Sequence, residues 1–211
     1  MSTRLIVVDD SDPQIQYSGS GWFRDSGSVD SVGNFGPTYQ HSLHGTNSSS
    51  SFSFSFHGKF YIVHTEVSTL PPITCSGTSV DVWGTNFPVN TANGVDPSWE
   101  CFVDNVSIGA TAYFQYPENN WLFCSKGQLN DGPHVIKVNV ASGGHTFWFD
   151  FLRYAPSASV STQNAIVAVD HLDPAIVYGS GWGPLGTTAT FTNNPGTDMT
   201  FGFTGTLIFD G

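Results

Sequence analysis

Asp9, Asp10 and Asp12 stand almost side by side near the start of the chain, and Asp150 interrupts the otherwise apolar run Trp148-Phe149-Asp150-Phe151. A carboxylate in a strand that buries both faces needs a partner or a cation, because an unpaired buried charge is costly. Calcium takes oxygen ligands of this kind, so these four aspartates are candidate metal ligands. The alternative is local: Asp12 can form an Asx-turn with Pro13, and Asp150 can accept backbone N–H groups at a strand end.

A second set of residues suits sugar recognition, which needs aromatic rings for the C–H face of a pyranose and planar polar side chains for its hydroxyls. Trp99 beside Asn93 and Asp96, Tyr113 and Tyr116 near Glu118, Asn119, Asn120 and Trp121, and Tyr39 with His41 and His44 all sit in polar, turn-rich stretches. Core packing is the competing reading. It takes Trp22, Trp83 and Trp148, which lie in patterned strands or at their ends, and it stays open for Trp99, Tyr116 and Trp121. His41 and His44 lack a third ligand for a transition metal and read as solvated loop histidines. Glu66, Glu100 and Glu118 could serve a polysaccharide-active enzyme, a glycoside hydrolase or lyase, only as a facing pair. The chain holds no Gly-x-Ser-x-Gly, His-Glu-x-x-His, Cys-x-x-Cys or phosphate-loop motif, so binding is expected rather than catalysis.

The elements that must position these residues are strands. Aromatic residues make up 14% of the chain and charged residues only 11%, and β-branched and aromatic positions alternate between turns of Gly, Pro, Asn and Ser, which describes an all-β protein. Segments of period two run over 51–56, 59–67, 78–83, 100–106, 112–116, 121–125, 134–140 and 145–154, the pattern of a two-sheet sandwich. Asn130-Asp131-Gly132-Pro133 and Ser142-Gly143-Gly144 supply hairpin turns. Cys101 and Cys124 lie in strand-like settings and are either a disulfide between neighbouring strands or two buried thiols; Cys75 is left over.

The chain also repeats itself. Val8-Asp9-Asp10-Ser11-Asp12-Pro13 through Tyr17 and Gly21-Trp22 returns as Val169-Asp170-His171-Leu172-Asp173-Pro174 through Tyr178 and Gly181-Trp182, and Phe54-Ser55-Phe56 returns as Phe201-Gly202-Phe203. The expected organisation is a jelly-roll β-sandwich over 1–156, a linker over 157–164 and a partial second repeat over 165–211. A jelly roll limited to its first strands exposes a core face and sheet edges. The chain continues, or those strands pack on the first domain, or they swap into a partner chain, giving a homo-oligomer.

With 6 Lys and Arg against 17 Asp and Glu, a net charge of −11 repels phosphate backbones and anionic lipid, so neither nucleic acid nor membrane insertion is expected. No signal sequence precedes the first strand, and the sequons at Asn47 and Asn105 fit a secreted or cell-surface protein.

The quoted repeat motif, with Asn120-Trp121-Leu122-Phe123-Cys124, Asp131-Gly132-Pro133-His134 and Phe147-Trp148-Phe149-Asp150-Phe151, resembles the jelly-roll domain of extracellular proteins of mushroom-forming fungi. More loosely it resembles galactose-binding-like domains, calcium-binding carbohydrate-binding modules and the tandem jelly-roll lectin type of the oyster mushroom. The resemblance covers 5–156 and, incompletely, 165–211. It implies a jelly-roll fold, extracellular residence and sugar binding, but no particular sugar; with the aspartate cluster, the expected function is a lectin or carbohydrate-binding module stabilised by calcium, directed at galactose-type or cell-wall glycans. It also implies a first strand beside the last, which brings Asp9, Asp10 and Asp12 towards Asp150.

Overall fold

A computed structural model describes residues 4–57, 78–92, 94–157 and 160–206. The expected strand over 59–67, with Glu66, Cys75 and Asn93, lies outside them. The strands are β1 (Arg4–Asp9), β2 (Gln16–Ser18), β3 (Trp22–Asp25), β4 (Leu43–Thr46), β5 (Ser50–His57), β6 (Thr78–Asn86), β7 (Val89–Thr91), β8 (Gly94–Asp96), β9 (Ser98–Val103), β10 (Val106–Gly109), β11 (Glu118–Leu129), β12 (Pro133–Ala141), β13 (Phe147–Tyr154), β14 (Ile166–Val169), β15 (Ile176–Tyr178), β16 (Gly183–Leu185), β17 (Ala189–Phe191) and β18 (Met199–Phe201). A short 3₁₀ turn at Tyr39–His41 is the helical element among the described residues. The protein is all-β.

One large sheet has the order β11-β6-β13-β1-β14, with β4 also on β13 and β3 on β4; a second runs β10-β9-β12-β5-β2, and β15-β18, β16-β17 and β7-β8 form separate two-stranded sheets. Alternation builds the layer between the first two. On β5, Phe52, Phe54 and Phe56 point inward while the intervening serines do not, and on β12 Ile136, Val138 and Val140 do the same. From the first sheet come Ile6, Val8, Val80, Val82, Phe123, Phe147, Phe149 and Leu152, all in one hydrophobic cluster with the inner face of the second. Cys101 on β9 and Cys124 on β11 form a disulfide. It links the two sheets, where the sequence suggested neighbouring strands.

Two expected strands change. The segment over 100–106 reverses at Asp104-Asn105, both left-handed with φ of 51° and 65°, and becomes the β9–β10 hairpin. Residues 112–116 form no strand, because buried Asn86 at the end of β6 donates its side-chain N–H groups to the Phe114 and Tyr116 carbonyls, both at 2.9 Å.

The expected linker is not a free tether, since Val160 and Ala165 pack on the core. β14 then pairs antiparallel with the outer edge of β1. Arg4 at the start of β1 clasps buried Asp173 through Nε at 2.8 Å and a terminal nitrogen at 3.1 Å. The later stretch repeats the bonding of the earlier one. Tyr17 donates its hydroxyl to the Asp10 carbonyl and Tyr178 to that of His171, while Asp12 and Asp173 each accept the N–H two residues on.

Candidate functional site

β13 has two neighbours on one edge: β4 pairs with it up to Phe149, and β1 takes over from Phe151. On its other edge the register against β6 slips between the same two residues. Asp150 is thus a bulge residue opposite a strand junction, and its side chain is fully buried there. Its Oδ2 accepts the Tyr39 N–H at 3.1 Å, but its Oδ1 has no hydrogen-bond partner. Burial pushes the Asp150 carboxyl up to about 8 against that one N–H, and the charges of Asp10, Asp9 and Asp30 add to the shift.

The neighbours are differently committed. Buried Asp10 accepts the Ser42 hydroxyl at 2.6 Å and meets His44 Nδ1 at 2.5 Å, and the His44 ring stacks on Tyr17 at 4.3 Å. Asp9 bonds Ser11 through Oδ2, while its buried Oδ1 has no partner. Burial, then the neighbouring Asp10, raises the Asp9 carboxyl against the Ser11 bonds. Asp12 accepts the Gln14 N–H at 2.8 Å in the local turn. Calcium chemistry fits the orphaned oxygens of Asp9 and Asp150, but Asp10 and Asp12 are already engaged. Among the described residues, no group of three or more His, Cys, Asp or Glu side chains is gathered to hold a metal.

An open groove lies between the β7–β8 hairpin and residues 110–113, with a volume of about 470 Å³, lined by Asn90, Val95, Ser98, Trp99, Thr111 and Tyr113 among others. Trp99 is half-buried. Its indole N–H donates to the Phe123 carbonyl at 3.0 Å, and its ring packs on Phe123 and Phe147. Tyr113 is exposed. The groove therefore joins a fixed indole to an accessible phenol, with small polar side chains between them.

Beyond residues 113–116 lies a second aromatic surface. Trp121 is near-parallel to Phe114 at 5.4 Å and 18°, and to Phe35 at 6.4 Å and 4°. Phe35 sits on a loop held by three consecutive residues of β11. The Glu118 carboxylate accepts the N–H groups of Asn34 and Phe35 at 2.5 and 2.8 Å. The Asn119 amide nitrogen reaches the carbonyls of Val29, Asp30 and Gly36, and its oxygen accepts the Thr85 hydroxyl. Asn120, left-handed at φ 50°, donates to the carbonyls of Phe35 and Pro37. Gly33 is required beneath them, because its φ is +73° and a Cβ there would collide with the Glu118 carboxylate.

No protein-family model matches the chain, and no curated protein matches it. Among solved structures it is similar to the crystal structure of a GH26-CBM35 β-(1,4)-mannanase of Podospora anserina, with 14% identity and a TM-score of 0.35. The match covers 76% of this chain and 29% of that one, so the chain spans less than a third of that protein. At that identity and overlap the likeness says nothing about activity.

Of the residues expected to bind a ligand, Trp99 and Tyr113 meet in the groove, and exposed Tyr116 stands beside Phe114 on the second surface. The others are engaged elsewhere in the fold. Asn119 is fully buried and Asn120 is committed to the loop, so both position backbone. Asp96 accepts the N–H groups of Gly143 and His145 and shapes the turn after β12. Tyr39 packs on Phe151, and His41 pairs with Asp30 at 2.7 Å. His44 is a strand residue bound to Asp10, not a solvated loop histidine. Phe35 and Phe114 were missed. Phe35 had a signal, since a lone phenylalanine in Gly33-Asn34-Phe35-Gly36-Pro37 cannot belong to a strand.

Proposed function

We propose that the protein is a non-catalytic, jelly-roll carbohydrate-binding protein that takes galactose-type or cell-wall glycans in the groove. The groove carries this reading: Trp99 and Tyr113 offer ring faces, and Asn90, Ser98 and Thr111 offer hydroxyl partners. The two antiparallel sheets around a shared core are the frame that a jelly roll needs. The Cys101–Cys124 disulfide supports residence outside the cell, where such bonds persist. Of the carboxylates an enzyme would use, Glu118 is occupied by loop backbone and Glu100 accepts the Ser107 hydroxyl.

Calcium, when bound, would be held by Asp9 and Asp150, whose orphaned oxygens accept a hard cation, and its contribution would be structural. One sugar buries little surface, so affinity per site is weak, and pairing of chains through the later stretch would raise it. The test is glycan-array binding in calcium and in chelator, with Tyr113→Ala alongside. Selective binding that Tyr113→Ala weakens by about threefold to tenfold is expected. Absence of binding to any glycan in either buffer overturns the reading.

A further inference from the structure

We infer that the binding surface continues from the groove over residues 113–116 onto the Phe114–Trp121–Phe35 surface, so that the ligand is an extended oligosaccharide rather than a single terminal sugar. This rests on the carbohydrate reading of the groove. Continuity is the first argument. Tyr113 lines the groove, and the residue after it stacks with Trp121. Asn86 holds the Phe114 and Tyr116 carbonyls, so the segment is a fixed ridge shared by both surfaces.

The second argument is what the loop clamp accomplishes. Glu118 and Asn119 are buried polar side chains, costly to place and conformationally specific once satisfied. They and Asn120 fix a loop whose aromatic side chain is not used to fill the core, because Phe35 remains 58% exposed. A ring held at a set angle to Trp121 and left open to solvent is preorganised for a partner.

The third is chemistry. The surface built by Phe35, Phe114, Tyr116 and Trp121 offers no Lys or Arg, and the chain is strongly acidic, which disfavours sulfated, phosphorylated or uronic ligands. Trp121, packed on the core, is the ring against which Phe35 and Phe114 are set. Exposed Gln115, between Phe114 and Tyr116, supplies an amide for hydroxyls. Neutral sugar units, each with an apolar C–H face, suit a row of such rings.

The experiment is calorimetric titration of the full chain with neutral galacto- and gluco-oligosaccharides of one to six units. Affinity is expected to rise at least about tenfold from one unit to six as successive sugar units reach further rings. Phe35→Ala and Phe114→Ala should abolish that gain while leaving the shortest ligands within about twofold, and Tyr113→Ala should weaken every length. Melting curves of the variants serve as the folding control, since both phenylalanines are exposed. Equal affinity at all lengths, or a gain that survives both variants, overturns the extension and leaves the groove standing. No binding at any length overturns the groove as well.

Discussion

Asp150 carries a burden its neighbours do not. It is a carboxyl in a strand junction with one N–H donor, faced by Asp9, Asp10, Asp30 and the His44–Asp10 pair, with Arg24 near Asp9. Burial holds its carboxyl up at about 8, against an ordinary value of 3.8. Between those values the folded state keeps a proton that the unfolded state has lost. The stability this group contributes is therefore complete below about pH 4 and disappears as the pH rises towards 8. In chelator, the melting temperature should fall from about pH 5 to about pH 8, and Asp150→Asn, which cannot ionise, should flatten that slope. Saturating calcium should reduce the slope in the wild type and do nothing to Asp150→Asn. A wild-type melting temperature that rises over this range in chelator would refute the assignment of a protonated Asp150.

At the scale of elements, the start of β11 matters more for the loop it restrains than for its place in the sheet. Asn119→Ala removes bonds to three loop carbonyls and strands the Thr85 hydroxyl, which should cost about 1–3 kcal/mol. The loss should appear in melts and as faster proteolysis within 29–37. Opening the Cys101–Cys124 bridge, whose cysteines are 23 residues apart, should cost about 3 kcal/mol through the freed loop, read as a lower denaturant midpoint under reductant. The serine-phenylalanine alternation of β5 and the Asx-turn at Asp12 were legible in the sequence because each is a local pattern. The roles of Asn119, Asn120 and Asp96 were not. An amide that binds sugar and an amide that binds loop carbonyls look alike in sequence, and only the fold shows that residues 29–37 pass beside β11. The bulge at Asp150 was partly legible, since a carboxylate among aromatics announces an exception, but its neighbour His44 comes from a strand whose pairing no local pattern specifies.

Across the whole molecule, the two repeated stretches differ in what covers them. Tyr17 on β2 lies opposite Phe52 on β5, and Tyr178 on β15 lies opposite Met199 on β18. Four positions after Phe52 and Met199 come Phe56 and Phe203. Phe52 and Phe56 are each 1% exposed beneath the opposite sheet, whereas Met199 is 51% and Phe203 49% exposed. Leu172, Val177 and Leu185 are also exposed, and at Met199 and Phe203 the later stretch shows to solvent what Phe52 and Phe56 bury in the earlier one. Exposed apolar side chains such as Met199 and Phe203 favour association, because removing them from water gains about 25 cal/mol per Å². β14 meanwhile ends its sheet with one edge unpaired among the described strands, a second route to pairing between chains. Light scattering of the full chain should therefore show a mass that rises with concentration above that of the monomer. Substituting Met199→Lys together with Phe203→Lys should return it to the monomer mass while leaving the melting of the two disulfide-linked sheets unchanged, because neither residue belongs to their shared core. A wild-type chain that stays monomeric at every concentration would mean that this face is tolerated in water, and any avidity for glycans would then have to come from one extended surface on a single chain.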